Sequence, residues 1–160
     1  MHIAKHWKKS NLPFWPKKRS FIPKFNAGNA IRSYVPTMIF SSWLGTYADL
    51  ILVEKKIYSF PVRPFPDTFK INIAFTLFLL PIMTAFFVYY AKKLKTTQRA
   101  MVVLSIGILM PLVERIAEKL GWFVHGNDWR YAYSLFGYIL FMWVVWRFHL
   151  WHSTNSQIKE

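Results

Sequence analysis

Apolar residues run along this chain in four long blocks separated by short polar segments. The block at 71–91, "INIAFTLFLLPIMTAFFVYYA", has no charge over 21 residues. The block at 34–53 has one internal charge, Asp49. The block at 100–120 opens with 14 uncharged residues and then meets "PLVERIAEKLGW", with four charges in six residues. The block at 131–151 has 16 uncharged residues before Arg147. About 20 helical residues, each rising ~1.5 Å, cross a hydrocarbon core of ~30 Å. The pattern predicts an all-α integral membrane protein with four transmembrane helices at 34–53, 71–91, 100–120 and 131–151. The transmembrane domain is then 33–152, preceded by a tail (1–32) and followed by a short tail (153–160). The third block is short before its charges, so a re-entrant segment with an outside C-terminus is the alternative topology.

Composition supports a membrane solvent. Hydrophobic residues make up 54% of the 160 and aromatics 19%, more than a soluble domain of this length can bury. Lys and Arg total 21 against 7 Asp and Glu. Eight of the basic residues lie in 1–32, four in 92–99 and two from Arg147 onward, against four in 54–70 and one in 121–130. This bias predicts both termini on the cytoplasmic side, because cytoplasmic segments are enriched in Lys and Arg. The tail at 1–32 interleaves its charges with Trp7, Phe14, Trp15, Phe21 and Phe25, and Pro13, Pro16 and Pro23 interrupt it. It reads as a basic-aromatic cytoplasmic tail, largely disordered, resting on anionic lipid headgroups. It has no folded platform for RNA, so no nucleic-acid partner is expected. Nor does it carry the apolar stretch of a secretion signal. Tyr89, Tyr90, Trp122, Trp129, Tyr131, Trp143, Trp146 and Trp151 fall where aromatic belts would lie. The loop "YSFPVRPFPDTF" holds Pro61, Pro64 and Pro66, which favour extended backbone, and its aromatics suggest a short cap packed on the helices.

Four helices give each polar side chain a depth. Asp49 lies about 6 Å inside the outer end of the first helix and Glu114 about 9 Å inside that of the third. Asn72 and Thr76 occupy the outer turns of the second. Ser41, Gly45 and Asp49 form a small-residue stripe, a sign of close helix contact. Gly107, Pro111, Glu114 and Glu118 share a face, as do Asn72, Thr76 and Thr84. An ionised group at mid-bilayer costs ~2.5–3.5 kcal/mol, while each Leu, Ile, Phe or Val returns only ~0.3–0.6 kcal/mol. The charges must therefore be paired, wet or near the interface. Glu118 and Lys119 are expected at the interface, so that "PLVERIAEKLGW" is the outer third of a helix rather than a clean stop. Glu114 and Arg115 are expected one turn deeper, with Arg115 paired to Asp49.

The candidate cluster is thus Asp49, Asn72, Thr76, Glu114, Arg115 and Glu118, with His125 and Asp128 as outer-loop contributors. Two readings follow. The cluster clasps the helices of a non-enzymatic scaffold or accessory subunit, or it is an ion, proton or solute site of a small transporter- or sensor-like protein. The spacings of His2 with His6 and of His149 with His152 suit metal, but no acid or Cys completes either pair. No metal or cofactor is expected. The chain has no Cys, no Ser-His-Asp arrangement, no phosphate loop and no H-E-x-x-H, so nothing in it points to an enzyme.

The stretches "SSWLGTYADLILVEKKIYSFPVRPFPDTFKINIAFTLFLLP", "ERIAEKLGWFVH" and "SLFGYILFMWVVW" resemble a family of small, uncharacterised multi-pass integral membrane proteins of endospore-forming Gram-positive bacteria. The resemblance covers roughly 41–146. It implies a bacterial plasma membrane and a four-helix topology, brings no catalytic residues, and leaves the basic tail as an addition. The expected partners are the lipid bilayer and further copies or subunits of a membrane complex.

Overall fold

Each apolar block becomes helix in the computed structural model, which describes residues 27–127 and 129–157. Helix α1 is Ala27–Glu54, α2 is Leu80–Ala91, α3 is Thr96–Lys119 and α4 is Tyr131–Gln157. A π-helical turn, Phe75–Leu79, leads into α2, and strands β1 (Tyr58–Ser59) and β2 (Val124–His125) form the small sheet. The tail at 1–26 lies outside the described residues, as does Asp128. Residues 27–32, placed in the tail by charge, already belong to α1.

Successive helices alternate in direction. The start of α1 meets the end of α2 where Lys92 lies over the Tyr34 ring, 5.3 Å from its centroid. The end of α4 joins them, with His149 Nδ1 2.9 Å from Thr37 Oγ1. Arg99 of α3 donates to Ala91 O and Leu94 O and covers the Trp146 ring at 4.1 Å. This basic end holds the main core, Phe87, Val88, Ala91, Met142 and Trp146. Trp146 is therefore an interior residue and not part of an aromatic belt. The opposite, acidic end carries Asp49, Glu114, Glu118 and the two strands.

Pro81 shapes the second helix. It has no N–H, and its ring crowds the carbonyl four residues back. Just before it the helix widens, and Leu80 N–H reaches back to Phe75 O. The next carbonyl, Thr76 O, would then look to residue 81 for a donor. Ser42 Oγ of α1 supplies one instead, at 2.8 Å. Thr76 and Thr84 are fully buried on this contact face. The small-residue stripe faces the same way: Ser41 and Gly45 are buried, and a Cβ on Gly45 would run into the Leu80 side chain. Gly107 does likewise on α3, where a Cβ would lie 2.7 Å from Ile139 of α4.

Two helices stop by one device. At the end of α1, Lys56 N–H bonds Val53 O and Ile57 N–H bonds Leu52 O, with Lys56 at φ +59°. At the end of α3, Gly121 N–H bonds Glu118 O and Trp122 N–H bonds Ala117 O, with Gly121 at φ +72°. Both are Schellman motifs, whose left-handed residue reverses the chain and occupies the last carbonyls. "PLVERIAEKLGW" thus does contain a helix stop, made by Gly121 and Trp122. The chains leaving the two stops pair as antiparallel β1 and β2, with Tyr58 opposite His125 and Ser59 opposite Val124. Gly126 N–H bonds Ile57 O at 2.8 Å. A Cβ on Gly126 would lie 2.7 Å from Lys56 O, so the crossing requires glycine.

The proline loop is curled rather than extended, and most of it is exposed rather than packed on the helices as a cap. Arg63 donates to Phe60 O at 2.6 Å, Phe69 O at 2.6 Å and Pro66 O at 3.1 Å. Thr68 N–H and Phe69 N–H both turn back to Phe65 O. One guanidinium gathers the carbonyls that the prolines leave without partners, and this curls the loop.

The helices cover one another poorly. Ile39, Phe78, Phe86, Met101 and Phe136 are each more than 60% exposed. Soluble monomers rarely expose apolar patches beyond a few hundred Å². Helix α3 and the segment Tyr131–Thr154 of α4 are long and apolar enough to cross a membrane.

Replacing Ser42 by Ala is expected to lower unfolding free energy by about 1–3 kcal/mol, the cost of an orphaned buried carbonyl. In a Pro81→Ala background, which restores the N–H, the same change is expected to cost well under half as much. A double-mutant cycle by thermal unfolding in detergent measures the difference.

Candidate functional site

At the acidic end α1 and α4 enclose a cavity of about 710 Å³, with the π-turn, α2 and α3 completing its wall. Asp49 and Glu114 both line it. The two acids thus line one cavity, and its wall is mostly apolar rather than the polar pocket expected. The expected ion pair is not formed. Arg115 is exposed and lies over the Tyr131 ring, 4.9 Å from its centroid. Residues next to each other on a helix point about 100° apart, so with Glu114 turned inward Arg115 is carried to the surface. Among the described residues it makes no ion pair with Asp49.

The donors to these acids are hydroxyls instead. Tyr58 OH donates to Asp49 Oδ1 at 2.5 Å. Tyr138 OH donates to Glu114 Oε1 at 2.8 Å, and Ser134 Oγ donates to Glu114 Oε2. Ser134 and Tyr138 are one turn apart on α4, which sets both hydroxyls towards the same carboxylate. Burial pushes the Tyr58 hydroxyl far above its ordinary pKa, and the charge of Asp49 and its hydrogen bond push it further. It remains a donor throughout the physiological range.

Glu118 has a different task. It accepts three hydrogen bonds, from His125 N–H at 3.1 Å, His125 Nδ1 at 2.8 Å and Tyr131 OH at 3.1 Å. It therefore ties α3 to β2 and to the start of α4. The chain reversal at Gly121 returns His125 over it, a partner its expected interfacial position did not reveal. The His125 ring stacks on Trp129 at 5.0 Å and meets Phe123 edge-on at 4.6 Å. With Nδ1–H donated to Glu118, its Nε2 faces Glu114 Oε2 at 3.4 Å.

Asn72 and Thr76 stand apart from this cluster. Asn72 Oδ1 accepts Phe75 N–H at 3.3 Å and caps the second helix, while Thr76 packs against α1. His149, whose spacing with His152 suggested metal, is buried between Thr37, Tyr34 and Trp146. Among the described residues no three His, Cys, Asp or Glu side chains are grouped to hold a metal ion.

Tyr58 and Tyr138 are the residues the sequence reading passed over. Tyr138 carried a signal, because it follows Ser134 by one helical turn on the neighbour of an acid-bearing helix. Tyr58 carried none, since its role depends on β1 folding back over α1. Trp129, read as a belt residue, lines the cavity. Two polar atoms of the wall, Asp49 Oδ2 and Trp129 Nε1, are buried and have no partner within the protein. Compared with models of protein families, with curated proteins and with solved structures, the chain matches none.

Tyr58→Phe is expected to cost about 1–3 kcal/mol of stability, because it leaves a buried carboxylate without its donor. Arg115→Ala is expected to change stability by no more than about 0.5 kcal/mol, as at an ordinary surface position. Chemical or thermal unfolding of the two purified variants would reverse this assignment if Arg115→Ala were the costlier.

Proposed function

We propose that this is a four-span membrane protein, with both termini cytoplasmic, whose acidic-end cavity opens outward and binds a small solute. It is sensor- or transporter-like and not an enzyme. The observation that carries this reading is a cavity of about 710 Å³ whose wall includes buried polar atoms with no protein partner, Asp49 Oδ2 and Trp129 Nε1. Ligand sites are typically 300–1,000 Å³, mostly apolar, with a few placed polar groups.

Four spans are supported by the faces of the two less apolar helices. Helix α1 turns Ser41, Gly45 and Asp49 inward, and exposes Ile39, Trp43, Tyr47 and Leu50. Leading into and along α2, Thr76 and Thr84 are buried and Phe78, Ile82 and Phe86 are exposed. Such surfaces suit lipid, where helices need bury only their polar faces. Helix α3 is continuous over 24 residues, about 36 Å at ~1.5 Å per residue. That length favours a span over a re-entrant segment. The basic end gathers Lys92, Lys93, Lys95 and Arg99, which favours its placement in the cytoplasm. The basic tail then lies against anionic lipid. The family resemblance, on the same footing, suggests a bacterial plasma membrane.

The chain is free of Cys, so an introduced thiol reports without background. Gly137 lines the cavity, and a Cβ there meets no atom within 4 Å. Gly137→Cys is expected to react with a membrane-impermeant thiol reagent added outside intact cells, and a C-terminal reporter is expected to read cytoplasmic. If Asn127→Cys, at the mouth, reacts while Gly137→Cys does not, the cavity is closed to solutes and the proposal fails.

A further inference from the structure

The cavity wall has a sign and a shape, and together they specify a ligand. Its buried ionisable groups are two carboxylates, Asp49 and Glu114. The two lysines that also line it, Lys55 and Lys56, are exposed. Asp49 receives one neutral hydroxyl and no cation, and its second oxygen is buried without a partner. Glu114 receives two neutral hydroxyls and has His125 Nε2 at 3.4 Å. A buried carboxylate without a counter-charge is costly, and a cation seated beside it removes that cost. Tyr58, Trp129 and Tyr138 add aromatic faces, which attract organic cations. Met83, Met110 and Phe141 make the rest of the wall apolar.

We infer that the ligand is an amphipathic organic amine, its ammonium between Asp49 and Glu114 and its apolar body against Met83, Met110 and Phe141. This rests on the reading of the cavity as a solute site. The ammonium supplies the counter-charge that Asp49 lacks. A bare inorganic cation would leave the apolar wall and most of the volume unused. An anion would meet two carboxylates. A zwitterionic aminolipid would bring its phosphate against the same two acids, which favours a free amine over a headgroup.

The introduced thiol of Gly137→Cys tests the inference in a neutral maltoside detergent, where lipid charge plays no part. Its rate with 2-(trimethylammonium)ethyl methanethiosulfonate is compared with that of the 2-sulfonatoethyl reagent, each normalised to a free thiol in solution. The cationic reagent is expected to be favoured about tenfold, within the range by which a charged cleft concentrates its counter-ion. Asp49→Asn with Glu114→Gln is expected to bring the ratio near one. Asp49→Asn alone, which keeps a side-chain acceptor for Tyr58, is expected to lower it if the double variant does not fold. Phenethylamine is expected to slow labelling, while phenylacetate, of similar shape and opposite charge, is not. Equal rates for the two reagents, or protection by phenylacetate, would overturn the amine and leave the solute site standing. Protection by added phosphatidylethanolamine but not by phenethylamine would replace the free amine with a lipid. Failure of both reagents to react would overturn the site itself.

Discussion

A carboxylate removed from water needs hydrogen-bond donors, and the acidic end of this protein is arranged around supplying them. Asp49 and Glu114 sit on helices whose own backbone N–H groups are already used. Their donors come from elsewhere, Tyr58 for Asp49 and Ser134 with Tyr138 for Glu114. Tyr58 can reach Asp49 only because α1 stops at a left-handed residue and the chain folds back. The same reversal after α3 brings His125 between Glu114 and Glu118. Two Schellman stops, a four-residue sheet and the glycine at 126 are the geometric consequence. Since each uncompensated buried charge costs several kcal/mol, these small loop features carry more of the structure than their size suggests.

The two ends of the bundle solve different problems. At the basic end the helices converge on Phe87, Val88, Met142 and Trp146, and the cations lie flat on rings or on helix-end carbonyls. At the acidic end the hydroxyl-for-cation substitution leaves room. Had Arg115 reached Asp49, its long side chain would have crossed the space and filled part of it. A tyrosine from a strand above the helices satisfies one oxygen of the acid and leaves the other buried without a partner.

Much of this was legible in the sequence, and the limits are physical. Helix positions followed from apolar block length. The inward faces followed from small-residue spacing, and Ser41, Gly45, Gly107 and Pro111 lie where that spacing put them. Depth alone placed Asp49 and Glu114 on one cavity. Partner choice was not legible, because it depends on where the chain goes after each helix ends. Charge complementarity suggested Arg115 for Asp49, yet a neutral tyrosine nine residues on in sequence took the position. Trp129 and Trp146 looked like interfacial tryptophans, since sequence gives their height along a helix but not the side on which they fall. The helix stop at Gly121 was visible only as a glycine, because the left-handed turn it makes depends on Trp122 N–H reaching back to Ala117 O.

Those charges separate on inspection of what each one touches. Glu118 spends both carboxylate oxygens on His125 and Tyr131, and links three elements. Glu114, one helical turn deeper, faces the cavity with hydroxyls behind it. Arg115 serves neither and covers an aromatic ring. Clasp and site are therefore not competing descriptions of one cluster. A cavity whose helical wall is completed by the loops at 55–58 and 126–129 needs those loops held in register, and the acid one turn nearer the end of the helix holds them. The clasp at Glu118 fixes His125, Trp129 and the start of α4, and so fixes the shape of the wall that Asp49 and Glu114 face.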